Sequence, residues 1–156
     1  NFGAGSSITV DGQQFQLKQF HFHAPSENHI QGKSYALEGH LVHADKDGNL
    51  AVVAVMFEPG AANEVIGQAW KVMPEKAGDK SALGAKVSAE GLLPAQRDYY
   101  RFNGSLTTPP CSEGVRWLVM KAAMTASADQ IEQFSHVMHH PTNRPLQPVF
   151  ARPVLQ

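Results

Sequence analysis

Cysteine is almost absent from this sequence, which contains Cys111 alone. A structural zinc site is normally closed by four protein ligands that usually include cysteines, so a site of that kind is excluded. There is no cluster of Lys and Arg, and the formal net charge is −1, which argues against nucleic acid or an anionic membrane as a partner. No apolar run has the length of a bilayer span. The remaining composition, 42% hydrophobic and 17% charged, predicts one folded domain over residues 1–156.

The single cysteine has two interpretations. Cys111 follows Pro109-Pro110 in a segment that cannot be a central strand, because proline lacks the N–H of the ladder. A free thiol, as in an intracellular protein, is the simpler interpretation. A disulfide to a cysteine upstream, in a secreted protein, is the other. The residues alone do not decide between a free thiol and a disulfide.

Apolar and alternating stretches predict a sheet-dominated α+β domain. The predicted strands cover Ser7–Val10, Phe15–His23, Tyr35–His43, Leu50–Phe57, Tyr99–Phe102 and Val115–Met120. Leu50–Phe57 is nearly all apolar, which predicts a central strand buried on both faces. Helices are predicted over Glu64–Met73 and Ala128–Met138, the second with Ser127 and Gln130 as a capping box. The tail, Pro141–Gln156, holds four prolines and is predicted to have no regular structure.

The residues with the clearest chemistry are three histidines on two predicted strands. His21 and His23 stand at positions i and i+2, so their side chains share one face of an extended strand. His40 follows on the next strand, after a segment rich in turn-forming residues. Three imidazoles on one sheet face, without a fourth protein ligand nearby, are typical of a catalytic zinc site with an open coordination position.

Two polar residues share that face with the histidines. Gln19 has the parity of His21, and Glu38 has the parity of His40. A metal-bound imidazole usually donates its other N–H to an amide or carboxylate oxygen, so we expect Gln19 and Glu38 to accept these bonds. The other histidines are interpreted as polar core or surface residues without a second metal site: His29, His43, His136, His139 and His140.

Several motifs occur in a characteristic order along the chain. They are Gln19–His23, Ser26-Glu27, Glu38–His43, Gly104–Pro110 and Asn143–Pro148. In these motifs and their order, the chain resembles the α-class carbonic anhydrases. Three further segments resemble the bacterial branch in particular: Ala24–Asn28, Ala44–Asn49 and Pro110–Gly114. The resemblance implies a large central twisted, mostly antiparallel β-sheet with a few short peripheral helices. It also implies a zinc lyase that hydrates CO2 reversibly to bicarbonate and a proton, by attack of zinc-bound hydroxide on CO2.

The resemblance assigns roles to individual residues. One Zn²⁺ would be held by His21, His23 and His40. Thr107 would accept a hydrogen bond from the zinc-bound hydroxide and pass its own proton to Glu27. Thr107 and Thr108 would line the bicarbonate site. An apolar wall for CO2 would be formed by Val42, Val52, Leu106, Val115 and Trp117.

The resemblance further implies that the N-terminal portion of the family's domain is missing from this sequence. That portion carries the proton-shuttling histidine, an aromatic cluster and, in bacterial members, the cysteine that pairs with the one matched by Cys111. No histidine here matches the shuttle. Besides CO2 and bicarbonate, a separate N-terminal segment or a second copy in a homodimer is a candidate partner. A periplasmic or secreted location is expected.

Two other functions share the same histidines. A zinc hydrolase acting on activated esters would use the same nucleophile, although a narrow apolar pocket favours CO2. A non-catalytic binding module on the same fold would typically lack one of the zinc ligands. All three histidines are present, together with Glu27 and Thr107. The sequence therefore favours the enzyme.

Overall fold

A single mixed sheet organises the computed structural model, which describes residues 1–3, 5–84 and 86–156. Its strands within these residues are β1 (Ser7–Val10), β2 (Gln13–His23), β3 (Leu37–Ala44), β4 (Leu50–Pro59), β5 (Tyr99–Ser105), β6 (Glu113–Met120) and β7 (Met124–Ala126). The spatial order is β1-β2-β3-β4-β6-β5, and β7 pairs with the end of β4. Strands β1 to β4 are antiparallel neighbours, as are β5 and β6, while β4 pairs in parallel with β6 and β7. The expected sheet-dominated, mostly antiparallel architecture is confirmed.

Two short helices pack against one face of this sheet. They are α1 (Glu64–Trp70) and α2 (Ala128–Met138), and a 3-10 turn covers Ala89–Leu92. Helix α2 has the predicted bounds and the predicted capping box, in which Ser127 and Gln130 satisfy each other's backbone N–H groups. Among the described residues, no helix combines the length and apolar character that a membrane span requires.

The predicted bounds of α1 were wrong at the C-terminal end. The helix ends at Trp70, three residues before the predicted Met73. Val72 and Met73 instead bond to the carbonyls three residues earlier, those of Ala69 and Trp70. Pro74 follows directly, and a residue that precedes proline is disfavoured in the α conformation, so the last turn tightens.

Strand β4 is central, as predicted, and its alternate residues belong to two separate apolar cores. On one face, residues of β4 join the larger core, which α1 and α2 cover: Ala51, Val53, Val55 and Phe57. On the other face, residues of β4 pack with three residues of β6: Val52, Ala54, Met56, Val115, Trp117 and Val119. Because β3 and β6 pair with β4 on its two sides, the backbone of β4 has hydrogen-bonded neighbours at both edges. The smaller core lies on the face that carries the functional residues.

The larger core supports the histidine strands from behind. Phe22 on β2 packs against Phe57 and against Trp70, with ring centroids 6.1 and 4.9 Å apart. Gly39 lies opposite Phe22 in the ladder, and a Cβ there would come within 3.1 Å of the Phe22 ring and 3.3 Å of the Phe57 ring. Glycine therefore lets these aromatic rings pack directly beneath the backbone that carries His40.

Candidate metal centre and active site

The structure brings the three predicted metal ligands together. His21 on β2 lies opposite His40 on β3 in the ladder, and His23 lies two residues further along β2. One nitrogen of each ring lies within 4.8 Å of the corresponding nitrogens of the other two. Within the described ranges, this is the one group of three or more His, Cys, Asp or Glu residues close enough to hold a metal ion.

Hydrogen bonds from the same two strands orient two of the rings. Gln19 Oε1 accepts from His21 Nδ1 at 2.8 Å, and Glu38 Oε1 accepts from His40 Nε2 at 2.9 Å. These are the two partners that strand parity predicts. The bonds leave His21 Nε2 and His40 Nδ1 as the nitrogens with a lone pair to offer a metal.

The third ring is oriented by a residue from the distant tail. Thr142 O accepts a hydrogen bond from His23 Nδ1 at 2.7 Å. A carbonyl oxygen only accepts, so Nδ1 carries the proton and Nε2 carries the lone pair. His23 Nε2 is buried and has no hydrogen-bond partner among the described residues. An unpaired buried nitrogen beside two further lone pairs fits a metal ion at this point.

Burial keeps the imidazoles of His21 and His23 neutral. It lowers the pKa of His21 to about 3, and the neighbouring His40 and His23 rings add to the shift. Burial also lowers the pKa of His23, again with a contribution from His40. Neutral imidazoles are the form that binds a metal, so the protein need not remove a proton from these two rings at neutral pH.

Glu38 is fully buried and accepts four hydrogen bonds. Its Oε2 accepts from the backbone N–H groups of Glu27 (2.7 Å) and Asn28 (2.8 Å). Its Oε1 accepts from Asn28 Nδ2 (2.6 Å) and from His40. Burial alone would raise the pKa of Glu38, but the bonds from His40 and Asn28 outweigh it and hold that pKa below its usual value. Glu38 is therefore a buried carboxylate that fixes the His40 ring and the Glu27 loop together.

Glu27 lies between the histidines and a small cavity. Its Oε1 accepts from the backbone N–H of Arg144 at 2.6 Å, and its Oε2 lies 4.0 Å from His40 Nδ1. Glu27 and Thr107 line the same cavity of about 110 Å³. Oε2 is buried without a hydrogen-bond partner among the described residues, so no bond joins it to the Thr107 hydroxyl. The proton relay between these two residues stays a prediction.

Most of the predicted substrate wall lies on the same face. Val52, Val115 and Trp117 are buried members of the smaller core, and Val42 and Leu106 pack against it. The Trp117 ring meets the His40 ring edge-on, with centroids 4.8 Å apart. The apolar cluster therefore directly adjoins the metal ligands.

Thr108 stands apart from this wall. It is exposed and does not line the cavity that Thr107 lines, and its carbonyl accepts from the backbone N–H of Cys111. Thr107, but not Thr108, therefore lines the cavity that Glu27 lines.

Comparison with known proteins decides the family. The family model described as eukaryotic-type carbonic anhydrase matches residues 4–156. This chain belongs to the α-class carbonic anhydrase family. The carbonic anhydrase of Pectobacterium carotovorum is 51% identical over 155 residues, which are 99% of this chain and 64% of that protein. That of Neisseria gonorrhoeae is 46% identical over 97% of this chain and 60% of its own length.

The fold of the family is shared as well. The α-carbonic anhydrase of Thermovibrio ammonificans, solved in complex with sulfanilamide, superposes with a TM-score of 0.97 at 52% identity. The superposition covers 99% of this chain and 68% of that one. The present chain spans about two thirds of the length of these carbonic anhydrases. The predicted resemblance to bacterial members of the family is confirmed, because bacterial relatives match nearly the whole chain.

Cys111 of this chain is a free, half-buried thiol. It has a left-handed backbone (φ 58°) directly after Pro109-Pro110. The chain contains no second cysteine that could pair with it. The disulfide therefore stays a prediction that needs a cysteine from outside this sequence.

Sequence reasoning missed three groups that organise the centre: the carbonyl of Thr142, the backbone N–H of Arg144 and the side chain of Asn28. The first two bonds join residues 119 and 117 positions apart. Both use main-chain atoms, which every residue type carries, so no residue signal could have identified them. Asn28 does have a signal, because its amide stands next to Glu27 in the loop after β2.

Proposed function

We propose that this protein catalyses the reversible hydration of CO2 to bicarbonate and a proton, with one Zn²⁺ held by His21, His23 and His40. The observation that carries the proposal is the convergence of three imidazole nitrogens, each ring oriented through its other nitrogen, beside an apolar wall. Three nitrogen ligands suit tetrahedral zinc with one open position. The buried, unpaired Nε2 of His23 supports a bound ion at this point.

Zinc in such a site acts as a Lewis acid that lowers the pKa of bound water, to about 7 in carbonic anhydrase itself, for which this value is established. Neutral ligands leave the charge of the ion undiminished. Glu38 accepts from His40 Nε2, so it would stabilise this ligand through the imidazole ring while His40 Nδ1 holds the ion.

The remaining residues would bind and orient the reactants. Glu27 is fixed through Oε1 by Arg144 N–H and keeps Oε2 as an acceptor. Thr107 would donate its hydroxyl proton to that oxygen and present its own lone pair to the reacting water. The water oxygen would then form the bond to the carbon of CO2 while one C=O π bond opens and its electron pair moves to the oxygen of that C=O bond. The proton lost from the water would pass to solvent or buffer, which leaves bicarbonate. The wall around Val52 and Trp117 offers an apolar surface to a neutral substrate.

The test is stopped-flow CO2 hydration by this polypeptide, with and without a zinc chelator. We expect chelator-sensitive turnover in the wild type and no turnover or zinc retention in His40→Ala. His136→Ala is the matched control, because it removes an exposed imidazole on α2 and should leave turnover unchanged. Absence of turnover in a wild-type preparation that holds one zinc per chain would contradict the proposal, as would faster turnover on an activated aryl ester than on CO2.

The location of the protein is a separate proposal. We propose that it acts in the periplasm or outside the cell, as its resemblance to bacterial members of the family implies. Fractionation of the source cells, with detection of the protein by an antibody, tests this. Recovery in the cytoplasmic fraction would contradict it.

A further inference from the structure

Thr142 is bonded to the strand that carries two of the metal ligands, through its side chain and its backbone. All three polar groups of this residue bond to two consecutive residues at the end of β2. Its carbonyl accepts from His23 Nδ1 at 2.7 Å, its hydroxyl accepts from Ala24 N at 3.0 Å, and its own N–H donates to Ala24 O at 3.0 Å. Thr142 therefore holds the end of the ligand strand by its side chain as well as its backbone.

The hydroxyl bond matters because, among the described residues, the Ala24 N–H has no ladder partner. The last pair in the ladder between β2 and β3 is His23 with Glu38, so Ala24 lies just beyond it. Ala24 is buried, at 9% exposure, and a buried N–H without a partner is costly. The threonine hydroxyl supplies that partner. Without it, the tail would relax away from β2 or admit water to reach the N–H.

Such a movement of the tail would disturb two residues of the centre, His23 and Glu27. The segment 141–144 has no regular secondary structure that could hold its backbone independently. Its Thr142 carbonyl orients the His23 ring, and two residues later the Arg144 N–H fixes Glu27. A shift of the carbonyl by a fraction of an ångström would weaken the bond that places the proton on His23 Nδ1. That proton is what leaves Nε2 free for a metal.

We propose that the Thr142 hydroxyl is a positioning group for the metal centre, which holds the tail against Ala24 so that the Thr142 carbonyl fixes the tautomer and orientation of His23. This inference rests on the proposed zinc site. The hydroxyl acts through Ala24 and His23, and it contacts neither the ion nor the substrate.

The test compares three variants of the whole chain by zinc affinity, with chelator competition at a temperature where circular dichroism shows every metal-free protein to be folded. Thr142→Val keeps the shape and the backbone but removes the hydroxyl, and it should bind zinc about 10- to 100-fold more weakly, the usual effect of losing a group that orients a ligand. Thr142→Ser keeps the hydroxyl and should bind within threefold of the wild type. Thr125→Val makes the same change on β7, where the hydroxyl has no side-chain hydrogen bond among the described residues, and should not alter affinity.

The outcomes separate this inference from the proposed function. Equal zinc affinity in Thr142→Val and the wild type would overturn the inference and leave the zinc site intact. A wild-type protein that binds no zinc would overturn the proposed function and the inference with it. If Thr142→Val does not fold, Thr142→Ala removes the same hydroxyl with less bulk and is judged by the same criterion. The absorption spectrum of the cobalt-substituted protein provides a readout independent of activity, and it should change in Thr142→Val but not in Thr142→Ser.

Discussion

Replacement of Glu38 by glutamine tests how the centre selects the metal-binding nitrogen of His40. The side chain keeps its size but loses one of two acceptor oxygens. Four donors point at the carboxylate, two at each oxygen. An amide offers one oxygen and one NH2 group, so two of these donors must face another donor.

Neither orientation of the glutamine satisfies the site. With its oxygen at the Oε2 position, it keeps the bonds from the Glu27 and Asn28 backbones, but its NH2 faces two donors, His40 Nε2–H and the Asn28 side-chain NH2. His40 must then lose this bond or move its proton to Nδ1, the nitrogen that would bind the metal. With the oxygen at the Oε1 position, two buried backbone N–H groups lose their partner. Each orientation leaves two donors without an acceptor. The first is less costly, because one of its two donors is the Asn28 side chain, which can rotate, whereas the second leaves two fixed backbone N–H groups unpaired.

The magnitude follows from the bond that is lost. A hydrogen bond to a charged group contributes about 1.5–3 kcal/mol. At about 1.4 kcal/mol for each factor of ten, zinc should bind Glu38→Gln about 10- to 100-fold more weakly. Chelator competition at neutral pH measures this dissociation constant directly. Glu132→Gln makes the same atomic change at an exposed position of α2 and serves as the control.

Unchanged zinc affinity would contradict this role of Glu38. Zinc affinity of Glu38→Gln within threefold of the wild type would show that the carboxylate does not select the His40 nitrogen. A loss of affinity equal to that of Glu132→Gln would mean the same. Lower thermal stability with unchanged zinc affinity would assign Glu38 a role in the Glu27 loop alone.

Three further predictions concern other parts of the molecule. Thr107→Ala should retain zinc but hydrate CO2 about 10²-fold more slowly in stopped flow, because an orienting group is lost. His43 is buried and burial lowers its pKa from the ordinary 6.5, so below pH 6.5 the unfolded chain takes up a proton that the folded chain does not. The stability of the metal-free wild type should therefore fall with decreasing pH by up to about 1.4 kcal/mol per pH unit relative to His43→Asn, as measured by urea unfolding. Phe57→Ala removes a fully buried ring from the larger core, and it should lower the free energy of unfolding by about 3–5 kcal/mol in the same assay.

Each of these predictions has an opposing result. Wild-type turnover in Thr107→Ala would remove the hydroxyl from the mechanism. A stability difference between the wild type and His43→Asn that is constant from pH 8 to pH 5.5 would show that His43 takes up its proton equally in both states. The pH range above 7.5 is the internal control, since His43 is neutral there in either state. A cost below about 1 kcal/mol for Phe57→Ala would mean that the core collapses around the missing ring.

The histidine centre was largely predictable because its geometry is local. Side chains two residues apart on a strand share a face whatever the rest of the fold does, so His21, His23 and Gln19 could be grouped from β2 alone. The same parity groups Glu38 with His40 on β3. The turn-forming residues between the strands then bring the two groups together, and the structure shows His21 opposite His40.

Parts of the fold had no comparable local signal. Strand β7 is three residues long, too short for a periodic pattern, and exists because it pairs with the end of β4. The parallel pairing of β4 with β6 joins strands that lie more than fifty residues apart in sequence. Their apolar residues indicate burial but not which neighbour each strand takes.

What the sequence by itself determined is the identity of the chemical groups: three histidines with their amide and carboxylate partners, on strands whose alternation places them on one face. Only the tertiary structure decided which groups complete the centre from the tail. The carbonyl of Thr142 and the N–H of Arg144 bond to residues more than a hundred positions away. Main-chain atoms are the same in every residue, so their role depends on where folding places them. The sequence specifies which side chains are present. The orientation of His23 and Glu27 depends in addition on where the backbone of the tail lies, and only tertiary packing defines that position.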